Sequence, residues 1–241
     1  MNPVSTDMPV SYSAQRALIW WALSLLLVFM VAFVFLIRLV PLPPATWTAD
    51  QVAAFYQANG GSVRLGAVIA SWVAGFMVPL ALVISVQMRR LEQGWPLWAT
   101  LQFAGGCLMS MFLVFPPLLW GVAAFTPDRP AEITLLIHEL ANLTLVTTDQ
   151  YFIFQFVAIA VVSLTAKHDE MSPFPRWFGY YTIWTAFMFE LGAFGFIPRT
   201  GPFAWNGLFV FWIPLSIFLL WILVTSFMLF RALKRQEAVS A

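Results

Sequence analysis

Five apolar runs divide this chain, at residues 17–40, 65–88, 97–125, 177–197 and 203–230. As helices, each is long enough to cross the roughly 30 Å of hydrocarbon in a bilayer. A soluble fold of 241 residues could not hide so much apolar length, because 61% of the residues are hydrophobic and only 10% are charged. An ordinary globular domain carries about 25% charged residues. The mean hydropathy of +0.83 points the same way, and the chain reads as an all-α, polytopic membrane protein with lipid as part of its solvent.

A further span must be found between residues 130 and 167. The uncharged stretch after Asp149 is short for a crossing, so the expected fourth span, 140–165, extends upstream and takes Asp149 into the membrane. A second reading leaves Asp149 at the outer headgroups beside Gln150 and makes the span 150–166. Residues 130–139 either continue the same helix or form a separate helix at the outer surface. In the first outer loop, Thr48 with Gln51 three residues on is a capping-box pattern, and Asn59-Gly60-Gly61 is a plausible stop. The expectation is a bundle of six transmembrane helices (17–230) with short loops and one or two short outer surface helices, between tails 1–16 and 231–241.

Six spans place both termini on one side. Arg16, Arg89, Arg90, Lys167, Arg176, Arg231, Lys234 and Arg235 then face Arg38, Arg64, Arg129 and Arg199 across the membrane. That asymmetry predicts cytoplasmic termini in a bacterial-type plasma membrane. Trp20, Trp21, Trp95, Trp98 and Trp177 are expected at the inner interface, and Trp47, Trp120 and Trp205 at the outer one. The first run exceeds the 7–15 apolar residues or so of a signal peptide and lacks a small-residue cleavage site, so a retained anchor is expected.

Helices in lipid associate through small side chains and polar contacts. Gly66, Ala70 and Ala74 in the second run, Gly105 and Gly106 in the third, and Gly195 within the run 177–197 are candidates for close approach. Gln102 and Gln155 are expected to hydrogen-bond to neighbouring helices.

Ionisable residues inside spans are expensive and are therefore functional candidates. Asp149 and Glu190 qualify, and helix geometry places them at outer-half depths differing by about 4 Å. As antiparallel neighbours they would share a cation or a proton. His138 and Asn142 are one turn apart, and on a continuous helix Asp149 lies along the same side, with Glu139 adjacent. Two histidines and one cysteine, Cys107, are too few for a metal centre, so no metal and no cofactor is expected. Nearly balanced charge without a basic cluster argues against nucleic acid.

Three functional classes remain. Sparse polar chemistry and short loops favour a membrane subunit or scaffold whose partners are lipids and another membrane protein, or a second copy of itself. A small proton- or cation-coupled transporter would use Asp149 and Glu190. An intramembrane enzyme would gather His138, Glu139 and the two carboxylates in one pocket.

Overall fold

A computed structural model describes residues 11–166 and 172–240, apart from the side chains of Asp149, Gln150 and Ser240. The described residues are helical, with no strand among them. Helix α1 (Tyr12–Val31) runs into a π-helical stretch, Ala32–Ile37. Helices α2 (Ala49–Val73) and α3 (Met77–Arg89) are joined by a 3-10 turn, Ala74–Phe76. Helix α4 is Leu97–Phe125, and α5 is Ala131–Thr147. A 3-10 turn, Asp149–Phe152, then leads into α6 (Ile153–Thr165). Helix α7 (Arg176–Glu190) continues as a 3-10 turn, Leu191–Phe196, and a π-helical entry, Leu208–Trp212, opens α8 (Ile213–Ser240). Four of these helical stretches are long and apolar enough to cross a membrane: Tyr12–Ile37, Ala49–Arg89, Leu97–Phe125 and Leu208–Val239.

The capping box forms as its residues require. Thr48 Oγ1 accepts from the Gln51 amide at 3.3 Å, and Gln51 Oε1 accepts from the Thr48 amide at 2.9 Å. The expected stop does not. Asn59, Gly60 and Gly61 lie inside α2, and the helical stretch continues to Arg89 over 41 residues. Each interior glycine costs about 1 kcal/mol relative to alanine. Packing of a buried face outweighs that cost, and Val52, Tyr56, Val63 and Gly66 are all buried. The resulting helical stretch is about 60 Å long along its axis, twice the hydrocarbon thickness of a bilayer.

The expected continuous helix 140–165 is interrupted. Thr147 Oγ1 donates to the Leu143 carbonyl at 2.7 Å and Thr148 Oγ1 to the Thr144 carbonyl at 2.8 Å. Hydroxyls bonded back in this way compete for the helix's own carbonyls, and after β-branched Val146, Thr147 and Thr148 the chain leaves the α-helix. Residues 131–139 belong to α5 together with 140–147 and do not form a separate surface helix.

Helix α4 is the centre of the bundle, packed against α2, α3, α5 and α6. Its glycines explain how closely. A Cβ at Gly105 would stand 2.7 Å from the Gln155 amide nitrogen, and one at Gly106 would stand 2.4 Å from the Ala81 Cβ. Both glutamines meet their expected neighbours: Gln102 accepts from the Ser85 hydroxyl on α3, and Gln155 Nε2 donates to Met109 Sδ on α4 at 3.3 Å.

At the end where α1 begins, three buried glutamines join three helices. Gln87 Nε2 on α3 donates to Gln15 Oε1 on α1 at 2.8 Å, and Gln236 Nε2 on α8 donates to Gln87 Oε1 at 2.9 Å. Residues 231–240 continue α8, with Ala232, Leu233 and Gln236 buried, and Glu237 pairs with Arg16 at 2.6 Å.

Candidate functional site

The densest buried polar chemistry lies where α2, α4 and α5 meet, beyond the apolar stretch of α2. Three helices contribute: Tyr56 from the extended start of α2, Trp120 from the last turns of α4, and His138 and Asn142 one turn apart on α5. All four are at most 4% exposed. Trp120 and Trp205 are both buried here.

The hydrogen bonds among them run in one direction. An indole nitrogen can only donate, so Trp120 Nε1 donates to Asn142 Oδ1 at 3.0 Å. That orients the amide with Nδ2 toward His138 Nε2, at 2.8 Å. Nε2 must then accept, the neutral imidazole carries its proton on Nδ1, and Nδ1 donates to the Tyr56 hydroxyl oxygen at 2.9 Å. The tautomer follows from the one donor in the chain that has no alternative role. Edge-on rings of Tyr56 and Trp205 flank the imidazole, with centroids at 5.7 and 6.2 Å.

His138 lies outside the four long apolar stretches. Burial pushes its pKa down to about 4, because the charged ring would be desolvated, so the imidazole is neutral at physiological pH. With both ring nitrogens engaged, it has no free lone pair for a metal or substrate. Among the described residues no group of three or more His, Cys, Asp or Glu side chains could hold a metal ion.

A second set of contacts closes this end of the bundle. Glu139, half-buried, accepts from Arg199 Nη2 at 3.3 Å. Arg199 also donates from Nε and Nη2 to the Ala45 carbonyl, at 3.1 and 2.8 Å, and Trp205 Nε1 donates to the Pro43 carbonyl at 2.7 Å. The loop after α1 and the loop after α7 are thereby pinned over α5.

Of the sequence candidates, His138 and Asn142 are in direct contact, while Glu139 turns away into its own ion pair. The helix ends before Asp149, so the expected common line of His138, Asn142 and Asp149 does not exist. The Asp149 side chain lies outside the described residues. The turn that carries it packs against α7 and the 191–196 turn, with the Phe152 and Phe189 rings 5.8 Å apart. Glu190 is half-buried at the end of α7 and makes no hydrogen bond or ion pair with any described residue. Tyr56, Trp120 and Arg199 are not among the site residues that the sequence suggests. Nothing local marks them, since each acquires its role from a residue at least 22 positions away.

Near the middle of the bundle, where α1, α5 and α7 lose regular geometry, lies an apolar cavity of about 80 Å³. Phe33, Phe76, Phe152, Phe189 and Phe211 line it with the Thr148 hydroxyl. Among the described residues, the Thr148 hydroxyl is the polar side-chain group in that wall.

No family model matches this chain, and no curated protein or solved structure is significantly similar to it. The class therefore rests on the fold: an all-helical chain with four helices long and apolar enough to span a bilayer, which is the architecture of an integral membrane protein.

Proposed function

We propose that this chain is an integral membrane subunit that docks against another membrane protein through the outward face of α7. The observation that carries this reading is Glu190. Its carboxylate stands without a partner among the described residues, at the end of an exposed apolar stripe formed by Tyr180, Ile183, Trp184 and Phe187. Three- and four-residue spacing puts these side chains on one face of the helix. A carboxylate among lipid-facing aromatics is costly unless something supplies a donor, and a cationic or hydrogen-bonding side chain of a neighbouring helix would do so.

The rest of the site supports the same reading. The His138 cluster is closed and satisfied, Glu139 is committed to Arg199, and the cavity is apolar, so none of them offers a substrate path. In this reading α6 with the 149–152 turn, and α7 with the 191–196 turn, make two further crossings beside the four long stretches. The bundle then has six crossings with both termini in the cytoplasm, and the Tyr56–His138 cluster lies in the outer layer.

The test is mass analysis of the gently solubilised complex from native membranes, for the wild-type chain and for Glu190→Gln and Phe187→Ala. A stoichiometric membrane-protein partner that is weakened by both substitutions supports the proposal. A lone chain, or a homo-oligomer indifferent to both substitutions, overturns it. Ion uptake by the purified chain that is lost with Glu190→Gln would move the assignment to transport.

A further inference from the structure

A cleft of about 640 Å³ lies between the start of α7 and the second half of α8, with Trp177, Leu223, Phe227, Arg231 and Arg235 in its wall. Four of these residues follow one another at intervals of four along α8, so they occupy one slowly turning face over roughly 18 Å of helix axis. The face is apolar first and basic afterwards. Leu223 and Phe227 are 56% and 65% exposed, Trp177 on the facing helix is 55% exposed, and both arginines are exposed.

Arg231 and Arg235 make no ion pair or side-chain hydrogen bond with any described residue. Arg16, Arg38, Arg64, Arg129 and Arg199 each donate to a carboxylate or carbonyl oxygen of the chain, and of the arginines without such a bond, only Arg231 and Arg235 line this cleft. Two guanidinium groups without a partner among the described residues, about 6 Å apart along the axis, can grip one phosphate between them, since guanidinium presents a fork of donors matched to phosphate oxygens. The order of the face, apolar side chains leading into two cations, has the order of a phospholipid, acyl chain leading into phosphate.

We infer that this cleft holds one anionic phospholipid, with its phosphate between Arg231 and Arg235 and an acyl chain along Phe227, Leu223 and Trp177. The inference depends on the chain being embedded in a bilayer and not on the α7 docking face, because Phe187 and Glu190 take no part in it. An indole at the level where chain meets headgroup is the usual placement of tryptophan, and Trp177 lines the same cleft as the two arginines. Interfacial cations supply affinity for acidic lipid that adds per residue, and the apolar wall adds the chain's own burial.

The experiment uses the full chain, delipidated in mild detergent, with dioleoylphosphatidylglycerol and dioleoylphosphatidylcholine added separately and bound lipid counted by native mass spectrometry. The expected result is one phosphatidylglycerol retained in preference to phosphatidylcholine by roughly thirtyfold, about fivefold for each arginine. Arg231→Gln with Arg235→Gln abolishes the preference, whereas Arg89→Gln with Arg90→Gln, a basic pair outside the cleft, leaves it intact. Phe227→Ala lowers retention of both lipids. Glycerol phosphate at the same concentration does not displace the lipid; displacement would mean a free phosphate site and would overturn the assignment. A preference that survives the double substitution, or its absence in the wild-type chain, also overturns it. Helical circular dichroism reports whether each variant is folded, and if the double variant is not, each single arginine substitution is expected to reduce the preference about fivefold. Phe187→Ala leaves lipid retention unchanged, so this result and the test of the α7 face fail separately.

Discussion

Trp120 on α4 and Asn142 on α5 are joined by an indole N–H donated to an amide oxygen at 3.0 Å, and this bond sets the orientation of the amide and, through it, the tautomer of His138. Each member of the series is buried, so each bond replaces solvation that the group has lost. The consequence is a rigid cross-link of α2, α4 and α5 at one end of the bundle.

Asn142→Ala leaves the Trp120 N–H and His138 Nε2 without partners. Two unsatisfied buried groups at about 1–3 kcal/mol each predict a loss of roughly 2–6 kcal/mol, read as a lower unfolding midpoint in detergent. Asn142→Asp separates orientation from shape: it can still accept from Trp120, and its carboxylate favours a protonated Nε2. The His138 titration, followed by NMR of ring-labelled histidine, is expected to move up in this variant.

The buried His138 sets a pH dependence. The unfolded imidazole takes up a proton near its ordinary value of 6.5, and the folded one only near 4. Between those values the unfolded state binds more protons, so stability falls as pH is lowered from 6.5 toward 4 and levels off below. The slope contributed is about 1.4 kcal/mol per pH unit, and about 3 kcal/mol across the window. Unfolding midpoints at stepped pH are expected to show this component in the wild-type chain and to lose it in His138→Gln.

Gly61 and Gly105 are expected to respond to alanine in opposite directions. A Cβ at Gly61 meets nothing within 4 Å, and the residue sits inside α2, so Gly61→Ala stabilises by up to about 1 kcal/mol. A loop at Asn59-Gly60-Gly61 would give the reverse. Gly105→Ala drives a Cβ to 2.7 Å from the Gln155 amide nitrogen, where backbone must shift, and costs several kcal/mol or prevents assembly. Thermal unfolding of the two purified variants distinguishes these outcomes.

At the opposite end, the glutamine clasp and the adjacent ion pair differ in weight. Gln87→Ala removes two buried hydrogen bonds, to Gln15 and from Gln236, and is expected to cost about 1–3 kcal/mol. Arg16→Ala removes only an exposed pair with Glu237 and is expected to change the unfolding midpoint little, as most surface ion pairs do. Comparable losses from both substitutions would contradict this division.

Much of the architecture was legible in the sequence because helix formation in an apolar run is a local matter. The runs at 17–40, 65–88, 97–125 and 203–230 each fall largely within a helical stretch long enough to span a bilayer. The Thr48–Gln51 box is likewise local, since both partners lie within one turn. The continuation of α2 past Gly61 was not legible, because whether a helix crosses two glycines depends on the face that α4 and α5 cover. The same holds for the break at Thr148, where hydroxyl back-bonding competes with an intact apolar pattern that would otherwise read as one span.

What the sequence by itself determined is the solvent of this protein: too few charged residues and too many long apolar runs leave lipid as the surroundings of its helices. What only the tertiary structure decided is which polar groups meet. His138 and Tyr56 are 82 positions apart, and Gln87 and Gln236 are 149 apart. No periodicity links residues at such separations, because their bonds exist only once separate helices have packed and closed the water out. Glu190 is the converse case, a charge whose apolar neighbours were visible in the sequence but whose lack of a partner among the described residues became visible only when they had been placed around it.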